Sequence, residues 1–531
     1  MKLQFDYRAE VETTSGVQTL CGSAVFRSGE NRLVLPLPQG RIRSITASAF
    51  FPTPDAERIF MNGYQTWTCC PEYSRKDRIR GLHGIPKPIV EHYALNRYGD
   101  YDFVDYPNRP GVTHGVSYCY FRSGARLRLL GSLDETSGYT MFRYDAARQL
   151  LTLRRDCAGL VCGGDYHAFD LYLAEGDEDA VFDGWFAAMR IAPRTRDPLA
   201  GYSSWYNRYD TITEFDILHD LESCRLLLQR GDLFQIDDGW ERAVGDWLPH
   251  REKFPGGMKR LADRAHDAGF LAGLWLAPFS AQADSRLFRE HPDWMLQQDG
   301  KPFRSGCNWG GFYALDIDKP EVVRYLEGVF ACIFDDWGYD LVKLDFLYCA
   351  APFGTDTETR AARMQRAMRL LRRLCGGRLL LGCGVPLYPA FGLADYCRIG
   401  CDVSLDWDDK PYMRLIHRER VSTRQAILNS VFRRELDGRA FGSDPDVFLL
   451  RDENCRLTPE EKQQLGTVCA LFGSVFLTSD DPSNYTAAMR REYRRLRRLR
   501  SAENVRVEAD GSPLTIRYSL DGEEQCISLK L

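Results

Sequence analysis

The sequence predicts a multidomain β plus α/β protein: an N-terminal β-sandwich over residues 1–190, a central (β/α)8 TIM barrel over 191–488 and a small C-terminal antiparallel β domain over 489–531. Three observations predict it. Short strand-like runs broken by Gly, Pro, Asn and Asp fill the chain up to about residue 185. From about Leu199 apolar strand-like runs alternate with amphipathic helical stretches. After Arg500, three further strand-like runs are separated by Asp510-Gly511 and Asp521-Gly522, residue pairs that favour tight hairpin turns.

In the first part the runs are Val17–Phe26, Arg32–Leu37, Ile42–Phe51, Tyr118–Phe121, Leu127–Leu130 and Leu150–Leu153. The alternation around Thr152 and Arg154 suits strands with one wetted face. In the central part the candidate strands are Ser203–Tyr206, Leu233–Asp237, Leu271–Leu276, Tyr313–Leu315, Leu341–Phe346, Leu379–Cys383, Tyr396–Ile399 and Val475–Thr478. Between them lie candidate helices at Glu214–Gln229, Met258–Ala268, Glu321–Trp337, Thr357–Leu374 and Met413–Glu435. Pro320 precedes the third helix at a first-turn position, where its missing N–H costs nothing. Eight such alternations over about 290 residues are what the barrel requires, with a doubly wound open sheet as the alternative. The closing strands are Val505–Ala509, Leu514–Tyr518 and Cys526–Leu531.

Composition narrows the function. The 531 residues are 44% hydrophobic and 27% charged, and 69 Lys and Arg against 74 Asp and Glu give a net charge of −5. A mildly acidic surface offers no attractive field to phosphates, so neither nucleic acid nor an anionic membrane is an expected partner. The arginines at 366, 369, 372 and 373, and those between Arg490 and Arg500, fall at helical spacing and are read as solvated helix faces. No apolar run approaches the ~20 residues of a membrane-spanning helix. The first residues lack the apolar stretch of a signal peptide, so a cytoplasmic location is expected. Of the 17 cysteines, the close spacings Cys69-Cys70, Cys157-x4-Cys162 and Cys397-x3-Cys401 do not make a zinc site, and buried reduced thiols are expected. Nucleotide-loop, serine-hydrolase and zincin motifs are absent from the sequence, and no metal or organic cofactor is expected.

In a parallel barrel the chemistry gathers at the C-terminal ends of the strands. Here apolar runs lead into charged residues: Leu233–Ile236 into Asp237-Asp238-Gly239-Trp240, Leu341-Val342 into Lys343-Leu344-Asp345, and Tyr396–Ile399 into Gly400-Cys401-Asp402. Strand alternation places Lys343 and Asp345 on one face, where the lysine would help keep the carboxylate ionised. An isolated Asp at a strand end is more often a turn former, and Arg398 with Asp402 could be a structural ion pair. Three such ends, with Trp205, Trp240 and Trp275 at others, favour a polar pocket with aromatic walls, the character of a sugar site.

At these residues the chain resembles the α-galactosidases of glycoside hydrolase family 36, the melibiases, in their shorter bacterial form. The pieces that carry the resemblance are Ile236–Trp240, Lys343–Leu347 and Arg398–Asp402, supported by Asn62–Trp67, Gly201–Asn207, Gly273–Phe279 and His291–Trp294. The resemblance implies that Asp345 is the nucleophile and Asp402 the general acid/base of a retaining exo-α-galactosidase acting on melibiose- or raffinose-type sugars. It further implies that Asp237 and Asp238 hold the 4- and 6-hydroxyls, Lys343 the 3- and 4-hydroxyls, and Arg398 the 2-hydroxyl side. Trp275, Trp205 and Tyr206 would line the ring, Trp67 would close the pocket from the N-terminal domain, and Cys383 would lie near the 2-hydroxyl. Tyr64 and Cys401 depart from the commoner family pattern. Asp406, Asp408 and Asp409 follow Asp402 closely, so the acid/base assignment rests on less than that of Asp345. The alternatives on the same fold are an α-N-acetylgalactosaminidase or a transglycosylase, and in another class a non-catalytic sugar-binding protein. The expected partner is an oligosaccharide or glycoconjugate; the sequence leaves homo-oligomer formation open.

Overall fold

The computed structural model describes residues 1–195, 197–408, 417–509 and 513–531. Its N-terminal part is eleven antiparallel strands in a single hydrogen-bonded sheet. Two long strands, Gly29–Phe50 and Val161–Asp177, run through it and make the hydrogen bonding continuous. The sheet folds over on itself. Phe121 packs on Phe51 at 4.5 Å and on Tyr144 at 5.1 Å, between strands far apart in the sheet order. The buried positions of Lys2–Thr13 alternate as the period-two pattern requires.

The central part is built on a parallel sheet: β1 (Leu199–Ser203), β2 (Leu233–Ile236), β3 (Leu271–Leu276), β4 (Leu341–Leu344), β5 (Leu379–Gly382), β6 (Tyr396–Arg398), β7 (Gly442–Asp444), β8 (Val447–Phe448) and β9 (Val475–Thr478). The spatial order is β7-β6-β5-β4-β3-β2-β1-β9-β8. The two ends of the sheet are one bent chain segment, for only Pro445 and Asp446 separate β7 from β8. Proline cannot donate to a ladder, and Asp446 sits at φ 82°, so the strand breaks there and pairs with β6 before the break and β9 after it. Nearly every strand residue is buried on both sides, as helices flank a parallel sheet. The helices start where the sequence supplies caps. Thr213 and Asp216 form a capping box before Glu214–Cys224, and Thr458 with Glu461 does the same before Pro459–Phe472.

Three expectations are corrected. Tyr313–Leu315 is not a strand of the parallel sheet: Phe312–Ala314 joins Ser280–Gln282 and Arg304–Gly306 in a small antiparallel sheet. The place is taken by β7 and β8, whose polar Gly442-Ser443-Asp444-Pro445-Asp446 reads as a loop. The first strand lies at Leu199–Ser203, and Trp205–Arg208 after it is a helical turn. The helix expected over Met413–Glu435 is Thr423–Phe432, and residues 413–416 of that expectation lie outside the described residues.

The chain closes with three antiparallel strands, Glu503–Glu508, Leu514–Leu520 and Glu523–Leu529. Asp521 (φ 55°) and Gly522 (φ 82°) make the expected tight hairpin, since both positions need the left-handed region. The Asp510-Gly511 turn lies outside the described residues.

One loop joins the two large parts. Asn62–Cys70 leaves the N-terminal sheet and lies across the ends of β5 and β6, with Thr66 N donating to Val385 O at 3.0 Å. Arg433, fully buried, holds it there: its guanidinium donates to Asn62 Oδ1, Thr66 O and Gln65 O, and to Ile399 O just past β6. Asn429 adds a bond to Thr68 O and accepts one from Cys70 N.

Candidate active site

Because the strands run parallel, their last residues collect on one edge, and the charged residues singled out in the sequence sit there. After β2, Asp237 accepts from Lys343 Nζ of β4 at 2.9 Å, from Gln235 Nε2 at 2.6 Å and from Ser203 Oγ of β1 at 3.3 Å. Its own N–H donates to Ser204 Oγ, so three strands fix this carboxylate. Burial opposes the charge of Lys343, yet the adjacent Asp237 carboxylate holds its pKa above the ordinary lysine value. The lysine side chain therefore lies at this edge, with its ion pair directed at Asp237.

Asp345 follows β4. Its Oδ2 accepts from Trp275 Nε1 at 3.2 Å and its Oδ1 from Phe346 N at 2.8 Å. Burial raises its pKa above the usual carboxylate value, and the Asp402 charge pushes the same way. Lys343 and the Cys383 thiol pull it down without reversing the shift. The expected help from the lysine is present in sign but is outweighed by desolvation.

At the end of β6 the Arg398 guanidinium reaches three aspartates: Asp402 at 2.8 Å, Asp444 at 3.1 Å and Asp446 at 2.9 Å. Of the two expected catalytic aspartates Asp402 is the more open; its side chain is 36% exposed, while Asp345 is 8% exposed. Asp408 instead faces Arg420 (2.5 Å) and Ser422 Oγ (2.8 Å), which ties it to the following segment. Ser404 Oγ donates to Asp406 at 3.3 Å. Asp409 lies outside the described residues.

Aromatic rings wall this edge. Trp67, on the N-terminal loop, packs on Phe346 at 5.1 Å and donates from Nε1 to Cys383 Sγ at 3.4 Å. Trp275 packs on Trp309 at 5.9 Å, and Trp309 on Phe346 at 4.9 Å. Trp309 Nε1 donates to Asp238 Oδ2 at 2.9 Å. Asp238 also shares a hydrogen bond with the buried carboxyl of Glu241; burial raises the pKa of both acids, so this pair retains a proton more readily than isolated carboxyls would.

Thus Asp237, Asp238, Lys343, Asp345, Arg398, Asp402, Trp275, Trp67 and Cys383 meet at one edge. Trp205 stacks edge-on against Tyr209 at 5.2 Å, and the Tyr206 hydroxyl donates to Asp446 Oδ2 at 2.5 Å. Sequence reasoning missed Trp309, Glu241, Asp444 and Asp446. Glu241 stands directly after the Asp237–Trp240 run, and a buried Asp-x-Asp after Gly442-Ser443 was the available signal for the other two.

Beside this edge lies a groove of about 1080 Å³, lined among others by Tyr206, Tyr209, Leu405, Asp406 and Arg451. Among the described residues one possible metal grouping appears, His219, Asp220 and Asp481. Asp220 is already bonded by Tyr202 Oη, Asn207 Nδ2 and Arg208, so its donor set does not favour an ion. No helix among the described residues is long and apolar enough to cross a membrane.

The chain is similar to known α-galactosidases. A family described as melibiase matches residues 213–371. The α-galactosidase TtGalA from Thermus thermophilus, solved with p-nitrophenyl α-D-galactopyranoside, is 30% identical, with a TM-score of 0.74 over 97% of this chain and 98% of that one. The α-galactosidase AgaA of Geobacillus stearothermophilus is 34% identical over 145 residues, and Mel36A of Lactobacillus acidophilus 31% over 121. These last two matches cover 26% and 22% of this chain but only 19% and 16% of the relatives' own lengths. With an α-galactosidase matched at this identity along nearly the whole of both chains, the protein belongs to the family 36 α-galactosidases, the melibiases.

Proposed function

We propose that the protein is a retaining exo-α-galactosidase that releases terminal α-galactose from small galactosides of the melibiose and raffinose type. The observation that carries this reading is the pair of aspartates at the ends of β4 and β6, one buried and held by two N–H donors, the other half-open beside Arg398. In this reading β7 and β8 count as one bent strand, the parallel sheet is a closed eight-stranded barrel, and the domains divide at residues 190 and 488.

Asp345 attacks the anomeric carbon and forms a covalent glycosyl-enzyme while Asp402 protonates the departing oxygen. Asp402 then deprotonates the water that releases galactose, with net retention. The two donors on Asp345, Trp275 Nε1 and Phe346 N, fix the carboxylate in line for attack and offset part of its burial. The exposure of Asp402 suits a group that must meet both a leaving group and water. Asp237, locked by Lys343, and Asp238, locked by Trp309, supply charged acceptors for the axial 4-hydroxyl and the 6-hydroxyl. Trp67 against Cys383 fills the space beside the 2-substituent, which favours a hydroxyl over an acetamido group. TtGalA has also been solved with stachyose, an oligosaccharide of the proposed class.

The test is hydrolysis of aryl α-galactoside against aryl α-N-acetylgalactosaminide by the wild type and by Asp345→Ala. Galactoside turnover is expected to dominate, to fall by about 10³-fold or more in the variant, and to recover partly with azide, giving the β-galactosyl azide. Activity retained by Asp345→Ala, or a preference for the acetamido sugar, refutes the assignment.

A further inference from the structure

Asp446 lies in the break between β7 and β8 and is 1% exposed. Both of its carboxylate oxygens reach the segment that carries Asp402. One oxygen contacts Arg398 Nη2 at 2.9 Å. The other accepts from Val403 N at 2.8 Å and from Tyr206 Oη at 2.5 Å. Its own N–H donates to Asp444 Oδ1 at 2.9 Å, and Asp444 in turn accepts from Arg398 Nε. The two groups it grips, the Arg398 guanidinium and the Val403 N–H, flank Asp402: the first bonds the Asp402 carboxylate and the second is the next backbone N–H in the chain.

We propose that Asp446 is a positioning residue for the acid/base, fixing Asp402 by holding the side chain that bonds it and the backbone that follows it. The proposal rests on the reading of Asp402 as acid/base given above. Aspartate suits the place for two reasons. It tolerates the left-handed backbone at φ 82° better than most side chains. Its charge also balances Arg398, whereas a neutral residue would leave that cation more strongly drawn to Asp402. With its oxygens bonded to protein groups, Asp446 acts through Asp402 and not on the sugar.

The groups facing Asp446 are Arg398, Cys401 and Asp402 from the β6 end, Asp444 from β7, Tyr206 from the turn after β1, and Cys469 from the helix Pro459–Phe472. Burial pushes its carboxyl up to about 7, with Asp402 and Asp444 acting in the same direction and Arg398 against it. Protonation as the pH falls through neutrality would weaken the hold on Arg398, so part of the acid limb of the activity profile belongs to this group.

The experiment compares Asp446→Asn with the wild type on two substrates, raffinose, whose leaving group needs protonation, and an activated aryl α-galactoside, whose leaving group does not. The expected result is a loss of about 30-fold or more in kcat on raffinose, a loss of about fivefold or less on the aryl substrate, and an acid limb moved to lower pH. Equal losses on both substrates, or an unchanged profile in a folded variant, overturn the proposal. Should Asp446→Asn not fold, Tyr206→Phe removes one bond to the same oxygen and is expected to give a smaller loss with the same dependence on leaving group; its absence overturns the proposal equally. Asp402→Ala, measured beside them, separates the two readings. If it shows no leaving-group dependence, the acid/base reading itself fails; if it does and the Asp446 and Tyr206 variants do not, only the positioning role fails.

Discussion

Replacing Trp309 by Phe tests whether the indole N–H, more than the ring, sets the preference for galactose. Trp309 holds a left-handed backbone (φ 52°, ψ 33°) and lies between Trp275, Phe312 and Phe346, so a phenyl ring keeps much of the packing. What it loses is the 2.9 Å bond to Asp238 Oδ2. Asp238 is buried, and removing one donor from a desolvated carboxylate costs about 1.5–3 kcal/mol. At about 1.4 kcal/mol per factor of ten, that is a loss of roughly 10- to 100-fold in kcat/KM for an aryl α-galactoside. The corresponding α-glucoside lacks the axial 4-hydroxyl that the Asp237 and Asp238 pair would receive and should change less, so the galactose-to-glucose ratio narrows. Steady-state kinetics on both substrates, with a melting curve to show that the variant is folded, give the answer. A change of less than about threefold in the ratio would mean that the N–H only satisfies a turn and that Asp238 is held well enough by Glu241.

Two further outcomes follow from the same contacts. Arg433→Met leaves the carbonyls of Thr66, Gln65 and Ile399 without their buried donor; a loss of about 2–4 kcal/mol in denaturant unfolding is expected, together with a raised KM as Trp67 loses its seat, and a change under 0.5 kcal/mol would refute it. Glu135 is pushed up to about 8 by burial, against the pull of Thr140 N, Arg155 and Ser117, so the native state binds a proton the unfolded state has released. Its contribution is fully present below about pH 4.5 and is lost as the pH rises through about 8, with a slope of at most ~1.4 kcal/mol per pH unit; Glu135→Gln should flatten the stability curve between those limits, and an unchanged slope would dismiss the group.

Most of the parallel sheet was legible because its strands are continuous apolar runs ending in charge, as Leu233–Ile236 before Asp237 and Leu341–Leu344 before Asp345 show. Tyr313 looked like a strand and is one, but its partners are Ser280–Gln282 and Arg304–Gly306, and pairing between insertions leaves no mark in a local pattern. The bent strand at β7 and β8 was invisible for the opposite reason. It is short, interrupted by a proline and rich in aspartate, features that ordinarily mark a loop, and it becomes a strand only because β6 and β9 are waiting on either side. In the N-terminal part the runs were visible, whereas the continuity of one folded sheet depends on strands of 22 and 17 residues whose polar stretches hide their length.

The site divides along the same line between what one segment states and what two segments make together. Asp237, Lys343, Asp345, Arg398 and Asp402 announce themselves because each is a charge at the end of an apolar run. Trp309 and Asp446 do not, since each sits in a stretch with no periodicity and matters through a partner far away in sequence: Asp238 for one, Arg398 and Val403 for the other. Their backbones carry a local trace all the same. Both residues are non-glycine and adopt positive φ, as does Phe346, whose N–H binds Asp345. Such conformations cost energy and persist where surrounding contacts over-determine them. Three of them border the same cluster of carboxylates, and each makes a hydrogen bond or ion contact there. In this protein the charges that name the site are written in the strands, and the groups that hold those charges in place are written in the strained turns between them.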